Sequence, residues 1–336
     1  MKFARRLLMW LPLCCGLSAA ACSSSMPDQP PTSRMNLAMP TLGGKQLWGD
    51  VRWQEGWRVQ KHVLTGHFRL LDPQDRRLAW GELEACIARM QELAPERDGT
   101  DHHLVLLIHG MGRSRSAFAK MQKSLQAAGM HVGSLSYPST RQSVEAHALQ
   151  VAEVLEHLQG YSKVSFVTHS LGGIVVRQLL HDGGSWRHRI QADRLVMLAP
   201  PNQGAAFADR LQDNSAFRWV FGDTGQALTS EAMASLAQPD IPFLVIAGAR
   251  GDKDGKGWNP MLDGDDDWVV RVSETHLPDQ TGHITVPVLH TFLMNDEHVI
   301  GSAGHFLATG EVRIPHTALA GETARDENER EDVHSR

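Results

Sequence analysis

Val164-Ser165-Phe166-Val167-Thr168-His169-Ser170-Leu171-Gly172-Gly173 is followed directly by Ile174-Val175-Val176-Arg177-Gln178-Leu179-Leu180. An apolar, β-rich run stops at a small polar residue, a Gly pair follows, and apolar residues resume with no further turn chemistry, so the stretch predicts strand, one sharp turn, helix. Ser170 stands at the turn. A serine hydroxyl is a weak nucleophile until a base takes its proton and donors stabilise the oxyanion. A tight strand-to-helix turn exposes the oxygen and aims helix-start N–H groups at the developing charge. The usual pattern is Gly-x-Ser-x-Gly; Gly172 fits it, and Thr168 takes the place of the first glycine. Read alone, the motif is equally a turn or a helix cap, so the rest of the chain decides.

Around it the sequence alternates strands and helices. Apolar runs predict buried strands at Leu104–Ile108, Arg194–Leu198 and Phe243–Ala247, Val132–Tyr137 reads as a further strand, and helices cover 114–128 and 143–158. Strands of this kind belong to a parallel sheet covered on both faces, which binds ligands at the carboxyl ends of its strands. Ahead of this block, 47–53 and 57–64 alternate polar and apolar residues as an antiparallel strand pair does, with 67–71 continuing the second strand. Leu78 to Leu93 has helical spacing, closed by Pro95. The tryptophans between 48 and 80 read as sheet-packing residues.

The first residues have a different character. Lys2, Arg5 and Arg6 precede an apolar segment from Leu7 to Leu17, and Ala19-Ala20-Ala21-Cys22 forms a small-residue cleavage site, so 1–21 reads as an export signal. Cys22 with Ser23-Ser24-Ser25 resembles the bacterial lipoprotein box, which implies lipidation of Cys22 and anchoring at the outer membrane, facing the periplasm; plain secretion is the alternative. Residues 22–44 read as a flexible tether, 45–314 as one domain, and the charged segment 315–336 as a disordered tail. Loss of Lys2, Arg5 and Arg6 moves the formal charge from -5 to -8, which argues against a nucleic-acid partner. Beyond Cys14, Cys15 and Cys22 only Cys86 remains, so no disulfide framework is expected.

At the carboxyl ends of the expected strands the residues read as chemistry. His109-Gly110-Met111-Gly112 follows 104–108 with little side-chain bulk, and backbone N–H groups there and at Leu171, after the nucleophile, suit an oxyanion hole. With the Thr-His-Ser-Leu-Gly-Gly elbow and Leu198-Ala199-Pro200-Pro201-Asn202-Gln203-Gly204, this turn makes residues 101–314 similar to the α/β-hydrolases, in particular bacterial triacylglycerol lipases and GPI-inositol-deacylase-like hydrolases. The resemblance implies an α/β-hydrolase fold, a mostly parallel doubly wound sheet behind the antiparallel pair, and a triad in the order Ser, acid, His. The excursion 204–238, long and with aromatics among polar residues, suits a helical lid, with ordinary crossover helices as the alternative.

The family pattern Asp-Gly-Val-Val maps the acid onto Asp267 in Asp263-Gly264-Asp265-Asp266-Asp267-Trp268-Val269-Val270, with Trp268 departing from it and Asp265 and Asp266 left as alternatives. His290 follows the last expected strand, 284–289, and precedes a closing helix, the family's place for the base; His305 is the alternative. His109 and Gly110 are expected beside the substrate, and His169 in a structural role, because adjacent residues on a strained turn point apart. No zinc spacing is present. Asp252 to Gly257 with Asp263 imitates a calcium loop only poorly, because Lys256 sits at a ligand position, so neither metal nor cofactor is expected. The expectation is a serine esterase or lipase acting on an acyl ester, lipid esters included, through an acyl-enzyme on Ser170. An acyltransferase, thioesterase or amidase with the same triad, or a non-catalytic envelope lipoprotein, is the alternative.

Overall fold

The computed structural model describes residues 39–40, 45–95, 102–204, 230–252 and 254–318. The export signal, Cys22, nearly all of the tether, the tail beyond 318 and most of the segment read as a lid lie outside the described residues.

Two sheets organise the chain. The first is antiparallel: β1 (Met39–Pro40), β2 (Trp48–Gln54), β3 (Trp57–His62), β4 (Phe68–Leu71) and β5 (Arg76–Gly81) lie in the order β1-β5-β4-β3-β2. The expected strand pair therefore forms one edge of a larger sheet, and 68–71, expected to continue the second strand, instead turns back as β4. The expected helix from Leu78 starts later, as α1 (Leu83–Leu93), because 76–81 pairs with β4. Leu78 to Trp80 satisfies a period of two as readily as a helical one, and backbone pairing along β4 decides between them. One face of this sheet packs Val51, Val59, Leu70 and Ala79 against Cys86 of α1.

The second sheet is parallel. Its strands are β6 (His102–Ile108), β7 (His131–Leu135), β8 (Tyr161–His169), β9 (Gln191–Leu198), β10 (Phe243–Gly248) and β11 (Gly282–Val286), in the order β11-β10-β9-β8-β6-β7. Helices α2 (Ala119–Ala127), α3 (Val144–Glu156), α4 (Leu171–Asp182), α5 (Ser230–Ser235), α6 (Val272–Thr275) and α7 (Glu297–Thr309) connect or follow them. Local chemistry sets several ends. Ser143 caps α3 by accepting from the Ala146 N–H at 3.3 Å, Asp296 caps α7, and Gly310 ends α7 at a φ of +79°. Apolar side chains bury on both sides of the sheet, one cluster meeting α3 and α4 and the other α2 and α7, as the continuous apolar strand runs require.

Strand β6 leads outward to β7, whereas β8 returns to the other side of β6 and the order then runs on to β11. The direction of winding reverses between β6 and β8, where the carboxyl ends of such a sheet leave a crevice. His109 to Gly112 and Ser170 lie at those two ends. The antiparallel sheet docks beyond β7: the Asp50 N–H donates to Ser136 O at 2.9 Å, Ser136 N–H to Asp50 Oδ2 at 2.6 Å, and Gln60 Nε2 to Asp50 Oδ1 at 2.7 Å. Burial raises the Asp50 carboxyl above its ordinary range even with Arg58 opposing it.

No helix among the described residues is long and apolar enough to cross a membrane.

Candidate active site

Ser170 separates β8 from α4 with φ +52° and ψ −123°, a backbone conformation that L residues rarely adopt. The turn is held from two sides, since the Ser170 N–H donates to Leu198 O at 2.9 Å and the Gly173 N–H to Ser170 O at 2.9 Å. Close packing explains the glycines: a Cβ on Gly172 would strike Ile108 O and lie 2.8 Å from His109 O, and one on Gly173 would lie 2.9 Å from Met197 Cε and 3.1 Å from Pro200 Cβ. Thr168, in place of the first glycine of the motif, is fully buried and its hydroxyl donates to Val196 O at 3.3 Å. The room a glycine would leave is filled by a side chain that satisfies its own polar atom.

The turn after β6 lies against the elbow. A Cβ on Gly110 would be 3.1 Å from Ser170 Cβ and 2.7 Å from His169 Nδ1, so only glycine allows this approach. Within the turn the Gly112 N–H donates to Ser139 Oγ at 3.0 Å and the Arg113 N–H to Gly110 O at 3.3 Å. The Met111 and Leu171 N–H groups have no acceptor among the described residues. Gln46 fastens this turn to the antiparallel sheet: its Nε2 donates to Arg113 O at 2.7 Å, and its Oε1 accepts from Ser139 Oγ at 3.1 Å and Thr140 N at 3.2 Å. No motif marks Gln46, whose partners are 67 to 94 residues away in the chain.

His109 corrects an expectation. Placed beside the substrate by the sequence reading, it is fully buried, stacks on Tyr137 at 4.3 Å between ring centroids, and bonds Gly110 O through Nδ1 at 2.8 Å. Burial pushes its imidazole down to about 4. It braces the turn from below.

The acidic loop after β10 separates its three candidates. Asp265 accepts from Arg250 N at 2.7 Å and Gly251 N at 3.0 Å, closing a loop. Asp266 is fully buried and accepts from Trp268 N at 2.6 Å and Asn259 N at 3.1 Å, and burial raises its carboxyl above the ordinary range. Asp267 turns the other way: Oδ1 accepts from the N–H groups of Val269 at 3.0 Å and Val270 at 2.8 Å, and Oδ2 bonds His290 Nδ1 at 2.7 Å. The backbones of these residues are joined as well, by His290 N–H to Asp267 O at 2.9 Å.

Both partners are buried, His290 with 7% of its surface exposed and Asp267 with none. Both Asp267 oxygens are thus engaged, and the bond to Oδ2 makes Nδ1 of His290 the protonated nitrogen, leaving Nε2 as the one that can accept.

His169 lies buried between the elbow and the loop of His290. Its Nε2 donates to His290 O at 2.9 Å, its ring lies 4.6 Å from that of His290, and burial holds its pKa well below the usual value. His305 lies on α7, and His298, also on α7, is exposed. No group of His, Cys, Asp and Glu among the described residues is placed to hold a metal ion. A crevice of about 410 Å³ between the antiparallel sheet and α2, lined by Trp53, Arg58, Gln122 and Tyr161 among others, shares none of the residues around Ser170.

A family profile described as a domain of unknown function (DUF7379) matches residues 74–220. No curated protein matches the chain. Among solved structures, the chain is similar to Bacillus licheniformis lipase BlEst2 in its mature form, with a TM-score of 0.51 and 18% identity over 65% of this chain and 96% of that one. The propeptide form of the same lipase gives a TM-score of 0.52 and 19% identity over 69% of this chain and 54% of that one. The fold is that of the α/β-hydrolases. At these identities the likeness establishes the fold, and the chemistry has to be argued from the side chains.

Proposed function

We propose that this protein is a serine hydrolase of carboxylic esters, with Ser170 as nucleophile, His290 as base and Asp267 as the orienting acid. The observation that carries the reading is the conjunction of a serine at φ +52° on a strand-to-helix elbow with a buried His290–Asp267 pair bonded at 2.7 Å. The lipase described for the two solved neighbours is the same class of activity.

Ser170 Oγ attacks the ester carbonyl as His290 Nε2 takes its proton, and Asp267 stabilises the imidazolium through Nδ1–H. The carbonyl oxygen becomes an oxyanion and accepts from the Met111 and Leu171 N–H groups, which need no reorganisation when the charge appears. Collapse of the tetrahedral intermediate breaks the bond to the alcohol oxygen, which leaves with the proton held by His290. Water, deprotonated by the same nitrogen, then releases the acid and restores Ser170. Transfer to another acceptor, or cleavage of a thioester or amide, would use the same steps.

The proposal extends to location. The basic and apolar start of the chain and the box at Cys22 support an exported enzyme tethered by a lipidated Cys22 to the outer membrane and facing the periplasm, where apolar acyl esters are at hand.

Hydrolysis of p-nitrophenyl butyrate is the direct assay. Turnover by the wild type that falls by at least roughly a thousandfold in both Ser170→Ala and His290→Ala supports the reading, on the scale seen when a triad member is removed. A His290→Ala variant that keeps its turnover would return the base to His305.

A further inference from the structure

Trp268 follows the acid directly and is held at a φ of +88°, where a bulky side chain is strained and glycine is at ease. Two neighbours fix it there. Its N–H donates to Asp266 Oδ1 at 2.6 Å, its carbonyl accepts from Asn259 Nδ2 at 2.9 Å, and the same Asp266 oxygen accepts from Asn259 N at 3.1 Å. The clamp is itself buried, Asp266 fully and Asn259 nearly so. Gly257 gives the Asp266 carboxylate its space, since a Cβ there would collide with it.

The clamp does not serve to bury the indole. Trp268 is 54% exposed and belongs to none of the hydrophobic clusters, so the chain bears both backbone strain and an exposed apolar ring at this position. Strain that surrounding structure over-determines is concentrated at functional sites. Phe292, two residues past His290, is a second exposed aromatic on the two loops that the His290–Asp267 bonds join into one edge. The chemistry of the edge is specific: His290 returns its proton to the departing alcohol, so the alcohol leaves along the side of the site that His290 and Asp267 occupy.

We infer that Trp268 is the specificity-determining residue for the alcohol portion of the ester, its indole forming an apolar wall against which that portion packs; this rests on the assignment of Ser170, His290 and Asp267 proposed above. The Asp266–Asn259 clamp positions the indole and takes no part in the chemistry.

The test uses the full chain with two series of soluble esters, butyrates of alcohols graded from methanol to naphthol and methyl esters of graded acyl chains. In Trp268→Gly, the kcat/KM ratio of naphthyl to methyl butyrate falls roughly tenfold, while the acyl-chain preference runs parallel to the wild type. Trp268→Phe keeps most of the ratio. The melting temperature of Trp268→Gly is not lowered, because glycine accepts the backbone conformation freely. An unchanged alcohol preference, an equal fall across both series, or weaker vesicle binding with unaltered selectivity overturns the role given to Trp268. So does a lowered melting temperature, which would make the indole a packing residue. Failure of the wild type to turn over any ester overturns the hydrolase reading and this inference together.

Discussion

His169 Nε2 donates to the backbone carbonyl of His290 at 2.9 Å, so the residue beside Ser170 holds the main chain of His290. The elbow and the last loop are thus coupled directly, although 121 residues separate them. Because the acceptor is a carbonyl, His169 must carry its proton on Nε2 and stay neutral, as its burial favours. Replacing His169 by Ala frees the His290 backbone. We expect kcat to fall about tenfold to a hundredfold, the range for a misplacement of the order of 1 Å, with KM little changed. His169→Gln, which retains an N–H donor, recovers part of the loss. A purely structural role would lower the yield of folded protein without changing kcat per labelled site.

The three consecutive aspartates should separate cleanly in kinetics. Asp267→Asn leaves His290 Nδ1 facing an amide and is expected to lower kcat by roughly a thousandfold or more with the fold intact. Asp265→Asn touches only the N–H groups of Arg250 and Gly251, so its effect should stay within several-fold. Asp266→Ala leaves the Trp268 and Asn259 N–H groups without an acceptor in a buried loop and should cost about 1–3 kcal/mol of stability. Thermal melts beside initial rates for the three variants check the order.

Acid should destabilise the protein well above the carboxylate range. Burial pushes His109 and His147 down to about 4 and His283 to about 3, against an ordinary value of 6.5. Such groups take up a proton on unfolding and not while folded, so the stability they confer is complete above about 6.5 and is lost as pH falls toward their folded values. For His109 alone the loss at pH 5 is about 2 kcal/mol. Asp50 and Asp266, both raised by burial, act with the opposite sign, and only nearer the carboxylate range. Urea midpoints at pH 7.5 and pH 5.0 measure the effect, and His147→Leu should flatten the acid limb. Equal midpoints at the two pH values would contradict it.

The parallel sheet is legible because its inner strands carry long apolar runs, as in Leu104–Ile108, Leu195–Leu198 and Phe243–Ala247, and fully buried strands leave that trace. Ser170, Gly110 and His290 stand out in the sequence because each closely follows an expected strand, whereas Asp267 is picked out through the resemblance to the Asp-Gly-Val-Val pattern. The harder parts share a physical cause. The strand Arg76–Gly81 has a pattern compatible with either period and is decided by its pairing with β4. Nothing in the sequence around His109 marks the Tyr137 ring that stacks on it and buries it. Gln46 and Asn259 carried no signal at all, because their roles come from single side-chain amides meeting backbone groups that tertiary structure brings to them.

The account stands or falls on whether Ser170 is an activated nucleophile. Treating the purified protein with a fluorophosphonate and mapping the adduct by peptide mass spectrometry tests this without knowledge of the natural ester. One covalent adduct per chain, on the peptide containing Ser170 and absent from Ser170→Ala, is the predicted result. An unlabelled wild type, or equal labelling of Ser170→Ala, would contradict it.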